Sequence, residues 1–231
     1  MSKLLVFLVK AAGAPLRFKL VGRENLPEEG PAIVIANHLG EVGPIAMMIT
    51  FPIRLYPWII TDMMEAEKAP EYLYQDFIEP VWKLHGRLGR LTAKVVGRIA
   101  AWLLNGLDGI PVNTQVTSIR QAFTRSIQLL LDGKWLLIFP EKPLEKPDPV
   151  TGIRPLSTGY TWLCQIYHRK TGKGLPVIPT LVHAKSKQIL IGEPIELAFT
   201  TSPRQDLIQA RYPIEEEMQK LYLKAENRQA D

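Results

Sequence analysis

Short apolar runs alternate with longer amphipathic patterns along this chain, and this alternation constrains its fold most. Ala32–Ala36 is apolar, contains β-branched residues and follows Glu-Glu-Gly-Pro, which is typical of a buried strand after a turn. Four more runs have the same character: Trp58–Ile60, Trp135–Phe139, Val177–Val182 and Gln188–Ile191. Helical patterns occupy Lys83–Leu107, Val116–Leu131, Tyr160–Tyr167 and Ile214–Glu226. Strands that alternate with helices predict an α/β fold with the sheet in the middle.

The length and composition predict one globular domain. A chain of 231 residues with 46% hydrophobic residues can bury a sizeable core, which excludes disorder as its overall state. Proline and glycine are not pooled in a linker, so we expect a single domain over residues 1–231, with a C-terminal helical segment over 203–231. Cys164 is the only cysteine, which excludes a disulfide scaffold and favours a reducing compartment.

The N-terminus carries a basic start and a short apolar run. Leu4–Val9 is shorter than the apolar stretch of a secretory signal, and Lys10 interrupts it. No window supplies the roughly 20 apolar residues of a membrane span. Two interpretations remain open for residues 1–16. The segment is either a short helix packed on the domain or a helix in the membrane interface, with Lys3 and Lys10 near the headgroups.

The segment Lys83–Leu107 contains no acidic residue. If it is one helix, its cations form a single stripe, beside a face of large apolar residues. The stripe consists of Lys83, Arg87, Arg90, Lys94 and Arg98. This is either the solvated face of an ordinary helix or a contact for anionic membrane or phosphate. The net charge of +5 favours anionic partners, but no nucleic-acid motif accompanies it, so we expect no nucleic acid.

Several motifs that identify common enzyme classes are absent. The sequence has no Gly-x-Ser-x-Gly elbow, no phosphate-binding loop and no dinucleotide glycine fingerprint after a strand. The four histidines are far apart, and none has zinc spacing with Cys164. We therefore expect no metal and no cofactor.

Polar residues follow two of the predicted strands. Asn37-His38 comes directly after Ala32–Ala36, where α/β folds bind ligands at the carboxyl ends of strands. A lone histidine is more often structural than catalytic, so this position alone decides nothing. Glu141, in Phe139-Pro140-Glu141-Lys142, also follows a strand. It can bind a hydroxyl or a cation, or cap the next turn. Two further segments, Gly109–Asn113 and Leu175–Pro179, complete an ordered set.

In this order the four segments resemble the sequence blocks of the glycerolipid acyltransferase family, which includes the lysophosphatidic acid acyltransferases. The lead-in Val21–Pro27 and the late segment Ile191–Ile195 are also similar, so the resemblance covers Leu20 to Ile195. It implies a single α/β domain with a central mixed β-sheet flanked by helices. It also implies transfer of a fatty acyl group from acyl-CoA or acyl carrier protein to a hydroxyl of a lysophospholipid, on the cytoplasmic face of a membrane and without a cofactor. The implied partners are an anionic membrane surface, the acyl thioester and a lysophospholipid-like acceptor.

The resemblance also implies roles for individual residues. His38 would be the general base. Glu41 is the first candidate for the carboxylate that orients it, and a backbone carbonyl is the alternative. The residues in or near the other blocks would bind substrate; these are Asn37, Asn113, Glu141, Lys142 and Arg154.

The sequence departs from the family pattern at three positions. Gly43 stands where the family has aspartate, five residues after the histidine, so Glu41 is the nearest carboxylate. Asn113 and Thr114 replace the arginine of the second block, and Lys142-Pro143-Leu144 replaces Gly-Thr-Arg in the third. The alternative function is therefore an inactive lipid- or acyl-thioester-binding protein on the same fold. If only the carboxylate is missing, Gly43→Asp should raise the rate.

Overall fold

A computed structural model describes residues 10–11, 13–40, 42–113, 116–198 and 207–227. In these ranges the strands are β1 (Lys19–Val21), β2 (Ala32–Ala36), β3 (Leu55–Ile60), β4 (Ile110–Val112), β5 (Trp135–Ile138), β6 (Pro176–His183), β7 (Gln188–Ile191) and β8 (Ile195–Glu196). The α-helices are α1 (Val42–Thr50), α2 (Thr61–Met64), α3 (Ala69–Leu73), α4 (Gly86–Gly106), α5 (Val116–Leu131), α6 (Gly159–Thr171) and α7 (Tyr212–Asn227). A π-helical turn, Tyr74–Ile78, follows α3.

The chain divides into two compact units, and the larger one contains a mixed β-sheet. Its described residues are 10–11, 13–40, 42–55, 126–198 and 207–227. The strand order is β1-β7-β6-β2-β5, with β8 beside β6. Strand β2 pairs in parallel with both β5 and β6, whereas β7 and β8 run antiparallel to β6. The predicted α/β class is confirmed.

Helices cover both faces of this sheet. On one face, Ala32 and Val34 of β2 pack with Met47 of α1 in the main core cluster, which also contains Val182 of β6. The next residue, His183, bonds to Glu226 of α7. Because successive strand residues point to opposite faces, α7 lies on the other side. All five residues of β2 are buried, which is why its sequence is apolar throughout rather than alternating.

The smaller unit, described over residues 56–113 and 116–125, contains a strand pair and a helical layer. Strand β3 pairs in parallel with β4, with Trp58 opposite Ile110 and Ile60 opposite Val112. Helix α4 packs against α3 and the π-helical turn, where Leu73, Tyr74, Ile78 and Ala93 form a core cluster.

Small residues form the face of α4 that packs on the protein. Gly89, Ala93, Gly97 and Ala101 are buried and spaced by four, so they lie on one side of the helix. A Cβ on Gly97 would lie 2.6 Å from the nitrogen of Pro70 in α3. The glycine therefore allows the two helix backbones to approach closely.

The helix begins later than the sequence predicts. Lys83 has a φ of 54°, and His85 is extended, so α4 starts at Gly86. The expectation that Lys83 belongs to the helical stripe is wrong for this reason. The other four cations of that stripe lie on α4.

The predicted N-terminal segment lies mostly outside the described residues, since Met1–Val9 and Ala12 are not described. The Lys10 ammonium donates a hydrogen bond to the carbonyl oxygen of Phe51 and is half-buried. Burial foremost, and then the charge of Arg17, lowers the pKa of Lys10. This bond holds the Lys10 ammonium against the protein, and the membrane-interface interpretation of residues 1–16 stays a prediction.

Among the helices of the described ranges, none combines the length and the apolar character required to cross a bilayer.

Candidate functional site

Asn37 anchors the chain at the point where β2 ends. Its side-chain oxygen accepts a hydrogen bond from the backbone N–H of Val182 at 2.7 Å, and its amide nitrogen donates to the Val182 carbonyl at 3.1 Å. Asn37 is buried, so these bonds satisfy polar groups that would destabilise the fold if they were buried without a partner. The structure thus gives Asn37 a role in fixing β2 to β6, and its predicted contact with substrate stays a prediction.

His38 follows this anchor and carries an exposed side chain. The imidazole contacts the ring of Phe139 edge-on, with the ring centroids 5.3 Å apart and the planes at 74°. The backbone N–H of His38 donates to Oε2 of Glu141 at 3.1 Å. Phe139 and Glu141 follow β5, the parallel neighbour of β2. The structure therefore brings His38 and Glu141 together at the carboxyl edge of the sheet.

The carboxylate of Glu141 joins two segments of backbone. Its Oε2 accepts from His38, and its Oε1 accepts from the backbone N–H of Arg154 at 3.3 Å. Around it, Glu141 and Leu156 form an antiparallel bridge, and the Ser157 N–H donates to the Pro140 carbonyl at 2.7 Å. Both oxygens thus stabilise main chain, which sequence alone did not indicate. The predicted substrate contact of Glu141 stays a prediction.

The two predicted cations of this region lie on the loop that Glu141 helps to close. Arg154 Nη1 donates to the carbonyl oxygen of Pro143 at 3.1 Å and to that of Glu145. The side chain of Lys142 is 39% exposed, and its ammonium lies 3.9 Å from the Glu145 carboxylate. Arg154 therefore holds the loop with its guanidinium, while Lys142 is partly exposed beside Glu145.

Gly43, in the first turn of α1, packs directly on the histidine peptide. A Cβ at this position would lie 2.1 Å from the carbonyl oxygen of His38 and 2.8 Å from that of Asn37. The backbone seen here has no room for the aspartate of the family pattern. The expected gain from Gly43→Asp therefore has no support in the geometry. Glu41, the predicted carboxylate partner, lies outside the described residues.

Three apolar side chains that closely follow His38 in the sequence are exposed. Leu39 follows His38 directly, and Val42 and Ile45 lie one turn apart on α1; all three are exposed. Residues three apart share one face of a helix, so Val42 and Ile45 form an exposed apolar face on α1, a few residues after His38. A signal was present in Leu39-x-x-Val42-x-x-Ile45, but its exposure depends on which face of α1 packs on the sheet.

The other predicted site residues belong to the smaller unit. Asn113 follows β4, and the cations Arg87, Arg90, Lys94 and Arg98 lie on α4. Arg90 sits over the Tyr74 ring, 5.1 Å from its centroid, and 3.9 Å from the Glu71 carboxylate. The Arg90 side chain therefore lies against Tyr74 and Glu71 of the same unit.

Neither the potential metal ligands nor the cysteine of the described residues forms a second candidate site. Within the described ranges, no cluster of three or more His, Cys, Asp or Glu residues can hold a metal ion. Cys164 is buried in α6, and burial raises the pKa of its thiol, which keeps it protonated.

Comparison with known proteins gives a match at the level of fold. No family model matches the sequence, and neither does any curated protein. The structure is similar to the crystal structure of the 1-acyl-sn-glycerophosphate (LPA) acyltransferase PlsC from Thermotoga maritima, with a TM-score of 0.56 and 15% sequence identity. The match covers 95% of this chain and 78% of that one. The predicted α/β fold, with a mixed sheet flanked by helices and similar to that of a glycerolipid acyltransferase, is confirmed.

Proposed function

We propose that the protein transfers a fatty acyl group from an acyl-CoA or acyl carrier protein thioester to a hydroxyl of a lysophospholipid or related acceptor. His38 acts as the general base, and the reaction takes place on the cytoplasmic face of a membrane. One observation carries the proposal: an exposed imidazole stands at the carboxyl end of the central strand, in a fold similar to that of an LPA acyltransferase.

In the proposed reaction, the acceptor oxygen attacks the thioester carbonyl carbon while His38 takes the hydroxyl proton. The tetrahedral intermediate then breaks the carbon–sulfur bond, and the imidazolium returns the proton to the leaving thiolate. The products are an ester and a free thiol, so atoms and charge balance. The exposure of His38 supports this role because both substrates must reach its ring.

The surroundings of His38 support an orienting role for the main chain. Glu141 and Asn37 hold the peptide on either side of the ring, and Phe139 limits its rotation. Since the His38 N–H is bonded to Glu141, this N–H does not serve as a donor to the oxyanion. Glu41 remains the proposed partner of the imidazole.

The chemistry of the neighbouring surface supports a lipid substrate. Leu39, Val42 and Ile45 offer an apolar contact for an acyl chain beside the base. Lys142, whose side chain is partly exposed, is the proposed contact for the acceptor phosphate in the larger unit. Arg154, whose guanidinium holds carbonyl oxygens of its own loop, contributes less directly.

The test is acyl transfer from acyl-CoA and acyl carrier protein donors to a panel of lysophospholipids, followed as released thiol. We expect His38→Ala to lose about 10²- to 10⁴-fold in turnover, the usual contribution of a general base. The control is His168→Ala, since His168 is an exposed histidine on α6 of the same unit. Equal rates for wild type and His38→Ala would refute the proposal.

The second candidate function is lipid or acyl-thioester binding without turnover. It is favoured by Gly43, whose contact with the His38 peptide leaves no room for the family's aspartate. It predicts that wild type and His38→Ala bind acyl-CoA or lysophospholipid equally and that neither releases thiol. Turnover that disappears in His38→Ala would contradict it.

A further inference from the structure

Helix α4 exposes a continuous row of large apolar side chains, which we term the apolar ridge. Its members are Leu88, Leu91, Val95, Ile99 and Trp102, each between 53% and 64% exposed. Their spacing of three or four residues places them on one side of the helix. Soluble proteins rarely leave a contiguous apolar surface of this kind without a partner.

The ridge is exposed because α4 packs with its opposite side. Gly89, Ala93, Gly97 and Ala101 face α3 and the π-helical turn, where a Cβ on Gly97 would meet backbone atoms of Pro70 within 3 Å. A surface helix usually buries its large apolar residues and exposes its polar ones. Here the small residues provide the packing, and the large ones remain outside it.

A row of cations borders the ridge along one edge. At about 100° per residue, Arg87, Lys94 and Arg98 lie beside it on the same flank. Within the described part of the chain, none of these three cations forms an ion pair with a carboxylate. Arg90 differs, since it contacts Tyr74 and approaches Glu71. No acidic residue occurs on α4 itself, so nothing on the helix neutralises this row.

We propose that α4 is the membrane-docking element of the protein. The apolar ridge enters the boundary between headgroups and acyl chains of an anionic bilayer, and Arg87, Lys94 and Arg98 bind lipid phosphates. An apolar strip with cations on its edge is the pattern of helices that lie in the membrane interface. The helix has 21 residues, which at about 1.5 Å each lets roughly 30 Å of it lie along the surface.

The charge pattern favours a bilayer over a second copy of this chain. Docking two ridges face to face with the helices antiparallel would bring the two cationic rows together, which is unfavourable. In the parallel orientation neither row meets an acidic residue of the other helix, because the helix has none. An anionic lipid surface supplies negative charge along the whole helix. The inference rests on the membrane-surface part of the proposed function, but it is tested by binding alone, so its failure leaves acyl transfer untouched.

The experiment is flotation of the full-length protein with vesicles of phosphatidylcholine, with and without 30% phosphatidylglycerol. We expect binding to the anionic vesicles that weakens with salt. The triple variant R87Q/K94Q/R98Q should lose about 100-fold in partition coefficient, at about fivefold per cation. Leu91→Glu should lose at least about tenfold, because it removes an inserted side chain and adds a negative charge.

The matched control is Leu223→Glu, the same change at an exposed leucine on α7, which is 51% exposed. It should bind as the wild type does, and circular dichroism should show that all variants are folded. Wild-type binding by the triple variant or by Leu91→Glu would overturn the proposal. So would a lipid-free dimer that Leu91→Glu converts to a monomer, since the ridge would then join two copies. Binding that depends only on residues 1–9 would assign the membrane contact to the N-terminus instead.

Discussion

Substitution of Gly43 by alanine or aspartate tests the tight contact between α1 and the histidine peptide. The sequence resemblance leads to the expectation that aspartate restores a missing carboxylate and raises the rate. The structure predicts the opposite, because any Cβ here meets the His38 carbonyl oxygen at 2.1 Å. Real Cβ atoms essentially never approach another heavy atom within 3.0 Å. The first turn of α1 and the His38 peptide must therefore separate by roughly 0.9 Å.

The expected loss of stability follows from the clash between the added Cβ and the main chain. Forcing an extra carbon into a packed site costs about 1–3 kcal/mol, and a clash with main chain falls at the upper end because no flexible side chain can yield. In a protein of this length each 1 kcal/mol lowers Tm by about 2–4 °C, so we expect a fall of about 6–12 °C. A displacement of His38 by about 1 Å should also lower turnover by about 100-fold.

The assay is calorimetric or dichroic thermal unfolding of both variants, together with the acyl-transfer measurement. The control is Gly40→Asn in the same loop, where φ is +60° and no atom lies within 4 Å of a built Cβ. Asparagine tolerates this left-handed conformation, so Tm should change by only a few degrees. A Tm for Gly43→Ala within 2 °C of wild type, or a faster rate for Gly43→Asp, would refute the reasoning. The Tm result stands even if no turnover is found.

Three further predictions concern buried or bonded groups. Asn37→Ala should lower the free energy of unfolding by about 2–3 kcal/mol in urea titrations, because it leaves both backbone groups of Val182 without partners; a loss below 0.5 kcal/mol would contradict this. Glu141→Gln should lower the free energy of unfolding by about 1–2 kcal/mol in the same titrations, because two backbone N–H groups each require an acceptor oxygen and the amide has only one. Equal stability of the variant and the wild type would contradict this. Cys164 should resist thiol reagents at pH 8 in the folded protein, because burial raises its pKa and keeps the unreactive thiol form, and should react once the chain is unfolded; rapid labelling of folded protein would count against it.

Much of the sheet could be predicted, because a strand that is buried on both faces is a continuous apolar run in the sequence. Strand β2 and strand β7 have the predicted bounds, and so does helix α5. Helix α1 is not among the predicted helices: glycine and proline are both unfavourable inside a helix, although proline is well tolerated in the first turn, where Pro44 lies. Strands β1 and β4 have only three residues each, too few for any periodicity.

Part of the site could be predicted because two of its residues directly follow buried strands, which are recognisable in the sequence. Sequence alone placed His38 and Glu141 at the ends of strands, and parallel pairing of β2 with β5 brings them together. It could not predict that Asn37 bonds to Val182, which lies 145 residues away. Nor could periodicity decide which side of α4 packs, because both the small residues and the large apolar residues repeat at helical spacing.

The bond between Glu141 and His38 has a consequence for how this site can change. Glu141 accepts this bond from the backbone N–H of position 38, so this one bond does not depend on the imidazole. Every residue except proline brings the same N–H to this bond. The bond to Glu141 is therefore retained when the side chain at position 38 is changed. Cysteine placed there would hold a thiol at the carboxyl edge of the sheet, a starting point for engineering a covalent acyl carrier on this fold.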